Sequence, residues 1–267
     1  TYEGEHLSRF GAFKMLWDNK IGADCLTEHQ YDEFGNYKLI LLPMIEHMTE
    51  ELAEKIKIFV ADGGTVIAES PFAFRDERGF LQYHAPGFGL EEVFGCWTND
   101  RENRETAPGM MYPGDLAEVC MFWSEYTLTT GKAEVLYESG TAAVVSNQYG
   151  KGRTIIAGTE IFRQYMRAPQ HAASEFFRQE ILKAVTPDAV CAGNARNIEV
   201  LRLEGETAIV NIIINHNKKP RTCTADLRDG NKDWVNLFTN NPINPLKPLL
   251  LQPEETLVIL RKKPIPR

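Results

Sequence analysis

Ser70 is the side chain whose position in the sequence best suits a nucleophile. It follows the apolar run at residues 65–68, which is typical of a strand. A serine or cysteine on a sharp turn after a sheet strand, activated by a histidine, performs acyl transfer. The AESPF turn at residues 68–72 has no glycine beside the serine, so the required strained geometry is hard to reach. His171 is a conceivable partner, but a plain strand-to-loop junction is the favoured interpretation.

Paired carboxylates would indicate different chemistry, because a retaining glycosidase needs two of them about 5–5.5 Å apart on a rigid scaffold. Acidic residues are abundant, with 37 Asp and Glu against 29 Lys and Arg. The conspicuous group, Glu50, Glu51 and Glu54, follows Thr49 at the start of a predicted helix. Acids are favourable in a first helical turn, so this group is interpreted as a solvated helix face.

Metal and cofactor sites are not indicated. The histidines occur singly, without HxH or HExxH spacing, and His29 with Asp32 forms only one close pair. The GKGR sequence at residues 150–153 matches neither GxGxxG nor the Walker pattern, so it is interpreted as a turn. The sequence therefore predicts no metal and no cofactor. The six histidines are His6, His29, His47, His84, His171 and His216.

The cysteines and the net charge limit the class of protein. Five cysteines, an odd number without CxxC spacing, favour reduced thiols over a disulfide framework and leave the compartment open. A net charge of -8 and a pI near 5.4 make nucleic acid an improbable partner. No apolar run is long enough to suggest a membrane span. The cysteines are Cys25, Cys96, Cys120, Cys191 and Cys223.

The first part of the chain alternates between helix and strand. The patterns predict an amphipathic helix over about residues 6–20, strands at 23–27 and 37–43, a helix after Thr49, and a strand at 65–68. This alternation predicts an α/β fold with a doubly wound, mostly parallel sheet. Such a domain normally opens with a strand, and the chain opens on Thr1 inside a helical pattern, so we expect a piece of a longer chain. The apolar residues of the first helix are Leu7, Phe10, Phe13, Leu16 and Trp17.

Two further regions complete the predicted organisation. Residues 70–117 are a long excursion rich in Pro, Gly, aromatic residues and arginine, the composition of functional loops and interfaces. Strands near 133–137, 142–147 and 154–157 and a helix over about 172–185 follow. After Thr186 the patterns are those of strands alone. We therefore expect an α/β domain at 1–186 and a small all-β sandwich at 187–267.

Three segments, in this order, resemble the C-terminal part of glycoside hydrolase family 42, the β-galactosidases. The first is YKLILLPMIEHMTEELAEKIKIFVADGGTVIAES at residues 37–70. The second is GTAAVVSNQYGKGRTIIAGT at residues 140–159. The third is the final domain, with VNIIINHN at 210–217 and LLLQPEETLVIL at 249–260. The resemblance implies a trimerisation domain of flavodoxin or class I amidotransferase type, followed by a small β-sandwich.

The resemblance also implies what this chain lacks. The family's catalytic glutamates lie in a (β/α)₈ barrel, and such a barrel alone takes about 250 residues. The family's acid/base glutamate follows an asparagine, and no asparagine in this chain precedes a glutamate. We therefore expect a bacterial, non-catalytic portion of a family 42-like enzyme, inactive alone, that forms a homotrimer in the full-length protein. A β-galactoside or oligosaccharide substrate would bind in the absent barrel.

The resemblance and the loop composition together suggest where assembly occurs. Phe72, Arg75, Asp76 and Arg78, at the start of the excursion, are candidates for an interface or for the mouth of an active site. Two alternatives remain open at this point. One is a stand-alone amidotransferase-like hydrolase that uses Ser70 or a cysteine. The other is a carbohydrate-binding module that uses exposed aromatics, the candidates being Trp97, Trp123 and Trp234.

Overall fold

The structure is a computed structural model that describes residues 2–98, 102–103, 108–113, 115–119, 121–228, 230 and 232–263. Tertiary contacts divide the chain into two compact units. The first comprises residues 1–15 and 25–185, and the second comprises residues 16–24 and 186–267. The second unit is therefore built from two separate stretches of the chain.

Helices and strands alternate in the first unit. The helices are α1 (Tyr2–Asp18, whose last residues belong to the second unit), α2 (Glu50–Ala61), α3 (Leu90–Phe94), α4 (Ile161–Arg167) and α5 (Ala172–Ala184), with a 3-10 segment at Glu28–Asn36. The strands are β1 (Leu39–Leu42), β2 (His47–Met48), β3 (Thr65–Glu69), β4 (Arg75–Asp76), β5 (Cys96–Trp97), β6 (Glu102–Asn103), β7 (Met110–Tyr112), β8 (Asp115–Ala117), β9 (Phe122–Trp123), β10 (Thr127–Leu128), β11 (Lys132–Tyr137), β12 (Ala142–Tyr149) and β13 (Gly152–Ala157).

A mixed seven-stranded sheet, in the order β1-β3-β13-β12-β11-β7-β8, forms the framework of this unit. Strand β3 pairs in parallel with β1 and with β13. From β13 onward every pairing is antiparallel. The α/β class is thus confirmed, but the expected mostly parallel pairing applies only to the first part of the sheet. Strands β11, β12 and β13 follow one another through short turns, and a short turn joins only antiparallel neighbours.

Helices cover both faces of the parallel part. Val66 and Ala68 of β3 lie in the hydrophobic core that includes Ile56 of α2. Side chains alternate along a strand, so Glu69 points to the opposite face. There it accepts a 2.8 Å hydrogen bond from the backbone N–H of Phe162 in α4. The end of β3 is therefore linked directly to a helix on the second face.

Helix α2 follows the local signals in its sequence. Thr49 caps it by accepting a 3.1 Å hydrogen bond from the backbone N–H of Leu52. Leu52, Ile56 and Phe59 are buried, as their spacing predicts. Gly63 then takes a φ of 118°, a conformation that a side chain disfavours, and the chain turns into β3.

Helix α1 buries a different face from the one that its apolar spacing predicts. Phe10 and Phe13 are 52% and 47% exposed. The opposite face packs closely, because a Cβ on Gly11 would lie 1.9 Å from the carbonyl oxygen of Phe162. Small residues allow this approach, and the large apolar residues are left outside. The expected strand at 23–27 is also absent, since these residues have no regular structure. The buried positions of α1 are Gly4, Ser8, Gly11, Ala12 and Met15.

The second unit is a two-sheet β structure. One sheet has the order β14-β17-β20 and the other β15-β16-β21-β18-β19. Ala225 of β17 shares one core with Ile213 of β16 and with Trp234 of β18, so the sheets face each other as a sandwich. Its strands are β14 (Ala189–Gly193), β15 (Ile198–Glu204), β16 (Ala208–Asn215), β17 (Arg221–Leu227), β18 (Trp234–Asn236), β19 (Pro242–Ile243), β20 (Leu249–Leu251) and β21 (Thr256–Lys262).

Among the described residues, no helix is both long and apolar enough to cross a membrane.

Candidate self-association surface

Ser70 lies at the carboxyl edge of the parallel strands, but its surroundings do not suit a nucleophile. It is fully buried, and its Oγ lies 3.0 Å from the Oγ of Ser124. His171 instead caps α5, where Nδ1 accepts a hydrogen bond from the backbone N–H of Ala173. Its Nε2 lies 3.4 Å from a carboxylate oxygen of Asp115. The two residues thus have separate partners, and the geometry does not support a Ser70–His171 pair.

Two buried carboxyl groups lie near this edge of the sheet, and neither was singled out from the sequence. Glu69 and Glu160 are both fully buried, which raises the pKa of each. Oε2 of Glu69 accepts the Phe162 N–H, and Oε2 of Glu160 accepts the Met121 N–H at 2.9 Å. Among the described residues, Oε1 of each has no hydrogen-bond partner. The only hint in the sequence was an acid at the end of an apolar strand.

Metal-ligating side chains do not converge in the described part of the chain, where no three His, Cys, Asp or Glu residues are grouped as a metal ion requires. His29 and Asp32, the close pair in the sequence, face different partners. The His29 ring lies 3.8 Å from Glu28, and Asp32 pairs with Lys55.

Four of the cysteines are free thiols, and Cys120 lies outside the described residues. Burial raises the pKa of Cys191 to about 11, and it raises the pKa values of Cys96 and Cys223 as well. These buried thiols are thus poor nucleophiles at neutral pH. Cys25 is exposed.

The segment after Ser70 contains the four residues that the sequence proposed for an interface. Three of them form a braced turn. The Nε of Arg75 donates a 2.9 Å hydrogen bond to Glu46. Oδ1 of Asp76 accepts hydrogen bonds from the backbone N–H groups of Arg78 and Phe80, at 2.9 and 2.8 Å. Arg75 and Asp76 therefore fix the conformation of the turn, and Arg78 projects from it as an exposed side chain.

Phe72, the fourth of these residues, is a core residue. It is 1% exposed, and its ring packs edge-on against Phe94 with centroids 5.1 Å apart. A side chain enclosed in this way does not line a surface, so the expectation for Phe72 is corrected. Composition alone could not separate this aromatic from its exposed neighbours, because an irregular segment has no periodicity.

Residues 76–84 include most of this turn and carry exposed apolar side chains. We call this segment the aromatic loop. Phe80, Leu81 and Tyr83 are 68%, 65% and 88% exposed. His84 connects this loop to the rest of the unit, because its ring stacks on Trp97 with centroids 4.1 Å apart. Adjacent exposed apolar side chains on a braced loop are typical of an interaction surface.

The tryptophans proposed for carbohydrate binding are placed differently. Trp123 and Trp234 are buried, at 6% and 1% exposure. Trp97 is partly covered by His84. A carbohydrate-binding surface built on these three side chains is therefore not formed.

Comparison with known proteins identifies the relatives of this chain. The sequence profile of the β-galactosidase trimerisation domain matches residues 6–182. The chain is similar to β-galactosidase GalA of Bacillus licheniformis, with 28% identity over 58% of this chain and 24% of the relative. It is also similar to β-galactosidase BgaB of a Geobacillus species, with 27% identity over 77% of this chain and 30% of the relative.

Solved structures share the fold over nearly the whole chain. A catalytic mutant of a GH42 β-galactosidase from G. stearothermophilus superposes with a TM-score of 0.80 at 22% identity, covering 96% of this chain and 36% of that one. The β-galactosidase of Bacillus circulans superposes with a TM-score of 0.74 at 16% identity, covering 96% of this chain and 37% of that one.

The chain thus spans about a quarter to a third of the length of the curated relatives it matches. The matched portion is their trimerisation domain, and the described residues contain no (β/α)₈ barrel. The sequence-based recognition of glycoside hydrolase family 42 is therefore confirmed. This chain belongs to the β-galactosidase trimerisation domain family, and it corresponds to a non-catalytic portion of a family 42-like enzyme.

Proposed function

We propose that this chain holds the subunits of a family 42-like β-galactosidase together as a homotrimer, and that the aromatic loop forms part of the contact. The family to which the chain belongs supports self-association. The exposure of Phe80, Leu81 and Tyr83 supports the location. In a ring of three subunits, each interface joins two different surfaces. The aromatic loop supplies one of them.

The energetics favour a few anchor residues in this loop. Complete burial of a side chain such as Phe or Leu contributes about 1.5–3 kcal/mol. The brace from Arg75 to Glu46 limits the conformational freedom of the loop before binding, so less entropy is lost on association. Arg78 adds a cation of the type enriched at interfaces. Together, Arg75, Asp76 and Arg78 position and flank the apolar anchors.

Analytical ultracentrifugation of the full chain with Phe80→Ala and Tyr83→Ala combined tests this proposal. We expect the trimer to dissociate at concentrations at which the wild-type chain stays assembled. Phe238→Ala is the matched control, because Phe238 is 77% exposed but lies in the second unit. A full-length wild-type protein that sediments as a monomer at high concentration would overturn the trimer. A trimer that the double variant leaves intact would overturn the location.

The whole protein is proposed to hydrolyse a β-galactoside or a related oligosaccharide, because the curated relatives are β-galactosidases. The fold does not determine the sugar, since an α-L-fucosidase of Paenibacillus thiaminolyticus superposes on 96% of this chain with a TM-score of 0.67. Assaying the full-length protein against β-galactosides and α-fucosides distinguishes these substrates.

We assign the first unit to the flavodoxin or class I amidotransferase type. The parallel strands β1, β3 and β13, with helices on both faces, support this assignment. The domain bounds that the sequence proposed, 1–186 and 187–267, differ from the compact units at residues 16–24 and 186, which belong to the second unit.

A further inference from the structure

The buried carboxyl groups of Glu69 and Glu160 have unequal surroundings. Glu160 Oε2 accepts hydrogen bonds from the backbone N–H of Met121 at 2.9 Å and from the hydroxyl of Thr159 at 3.3 Å. Burial raises the pKa of Glu160 overall, and the guanidinium of Arg163, in the first turn of α4, partly opposes that rise. With these donors and a cation nearby, Glu160 is the better suited of the two to carry a negative charge.

Glu69 has less to stabilise an anion. The backbone N–H of Phe162 donates to it at 2.8 Å, and the backbone N–H of Ile161 also favours its charged form, but in the described part of the chain no cation acts on it as Arg163 acts on Glu160. The hydroxyl of Ser8, from α1, also faces the carboxyl group, but it makes no well-aligned hydrogen bond. Burial raises the pKa of Glu69 well above its ordinary range, and the neighbouring charge of Glu160 raises it further. Oε1 is buried without a partner among the described residues.

The groups that face this pair come from several elements. Ser8 comes from α1, Phe162 and Arg163 come from α4, and Tyr137 comes from β11. Burial raises the pKa of the Tyr137 phenol, so it is neutral at physiological pH. Arg163 is the cation among these groups, and it favours a negative charge on Glu160. A negative charge on Glu160 in turn disfavours one on Glu69. Unequal surroundings of this kind push the pKa values of two neighbouring acids apart, here with that of Glu69 raised the more strongly.

We infer that Glu69 is held in the fold as a neutral carboxylic acid, and that it acts as a proton-dependent latch fastening α4 to the end of β3. The neutral acid places no negative charge in the buried site, and its Oε2 accepts the N–H of Phe162 from α4. Loss of the proton to solvent leaves an anion in an enclosed site with few donors.

The direction of the pH effect follows from linkage. The pKa of Glu69 is raised in the folded state, so the stabilisation is fully present below the unfolded pKa of about 4.3. It is lost progressively as the pH rises toward the folded pKa. Alkaline pH therefore loosens the latch.

Infrared spectroscopy of the wild-type chain at neutral pH tests the protonation state directly. We expect the C=O band of a protonated carboxylic acid, and we expect Glu69→Gln to remove it and Glu160→Gln to retain it. Absence of the band in the wild-type chain would overturn the inference. So would a band that survives in Glu69→Gln and disappears in Glu160→Gln.

Denaturant unfolding across pH tests the latch itself. Relative to Glu69→Gln, the wild-type unfolding constant should increase by up to about tenfold per pH unit. This increase is expected between the unfolded-state pKa and the folded-state pKa of Glu69. Glu180→Gln is the matched control, because Glu180 is also buried but pairs with Arg153 and Lys183. We expect its unfolding constant, relative to wild type, to stay level from about pH 6 to about pH 9. If the ratio of the wild-type and Glu69→Gln unfolding constants does not change with pH over that range, the latch is overturned, whatever the oligomeric state of the chain.

Discussion

The Oγ atoms of Ser70 and Ser124 lie 3.0 Å apart in the interior of the first unit, as a buried hydroxyl pair. This contact explains why Ser70 is retained in a turn that could otherwise suggest a nucleophile. Removing one hydroxyl leaves the other without this partner, and the cost of such a loss is about 1–3 kcal/mol. We therefore expect Ser70→Ala to lower the free energy of unfolding by this amount in urea titrations. Any ester or amide hydrolysis should be unaffected, and a hydrolytic activity lost in a stable Ser70→Ala chain would restore the nucleophile hypothesis.

Thr49 is expected to stabilise α2 through its cap. Its Oγ1 accepts the Leu52 N–H at 3.1 Å. Thr49→Ala should destabilise the chain by about 1 kcal/mol, because one backbone donor at the helix start loses its partner. Thr49→Ser keeps the oxygen and should retain most of that stability. Equal losses in the two variants, measured by denaturant unfolding, would contradict the cap.

Gly11 is expected to tolerate no side chain. A Cβ there would lie 1.9 Å from the carbonyl oxygen of Phe162, and a backbone atom cannot rotate away. Alanine normally favours a helix by about 1 kcal/mol over glycine. The clash forces α1 away from α4, so we expect Gly11→Ala to destabilise by about 1–3 kcal/mol overall. Gly35→Ala is the control, since a Cβ there meets nothing within 4 Å. Thermal unfolding followed by circular dichroism compares the two, and equal melting temperatures would contradict the close approach.

Asn215 is expected to contribute strongly to the second unit. Its Nδ2 donates to the carbonyls of Leu251 and Gln252 at 3.2 and 2.8 Å, and its Oδ1 accepts the Asn217 N–H at 3.0 Å. Asn215→Ala leaves these buried groups unpaired, each costing about 1–3 kcal/mol. Denaturant unfolding followed by circular dichroism measures the loss.

Asn211 provides the opposite expectation in the same strand. It is fully buried, and neither polar atom of its amide has a hydrogen-bond partner among the described residues. Replacing an unpaired buried polar group by an apolar one of similar shape is neutral or stabilising. Asn211→Leu should therefore unfold at the same or a higher denaturant concentration than the wild-type chain. A loss comparable to that of Asn215→Ala would show that the Asn211 amide has a role in the folded unit.

The sequence predicted the helices and strands that a few neighbouring residues are enough to indicate. The strand at Leu39–Leu42 and the Thr49-capped helix were both predicted. The strand is indicated by its own apolar run and the helix by its own cap, and each signal spans only a few consecutive residues. The antiparallel pairing of the strands beyond β13 was not predicted, because strand pairing depends on contacts between residues that are distant in the sequence. The apolar face of α1 was misassigned for a related reason. Its spacing identifies a face, but the close approach at Gly11 decides which face is buried.

The interface role of the candidate surface stays a prediction, but the sequence indicated part of its local structure. The sequence located the excursion and identified Arg75, Asp76 and Arg78, which form and flank the braced turn. It also included Phe72, which is buried, while Tyr83, which is 88% exposed, counted only as one of the aromatic residues of the excursion. An irregular segment follows neither the helical nor the strand period, so the order of its residues does not show which side chains are buried. The pair of buried acids was missed because neither motif nor spacing connects residues so far apart in the chain.

The β-sandwich incorporates a stretch from near the other end of the chain. Trp17 packs against His216, with ring centroids 5.7 Å apart, and the carbonyl of Lys20 accepts the N–H of Asp188 at 2.8 Å. Both early residues lie within 16–24, which belong to the second unit. A single cut of the chain near residue 186 would therefore separate the sandwich from part of its own packing. Recombination could exchange this β domain between glycosidases as an intact cassette only if the end of the first helix were carried along with it.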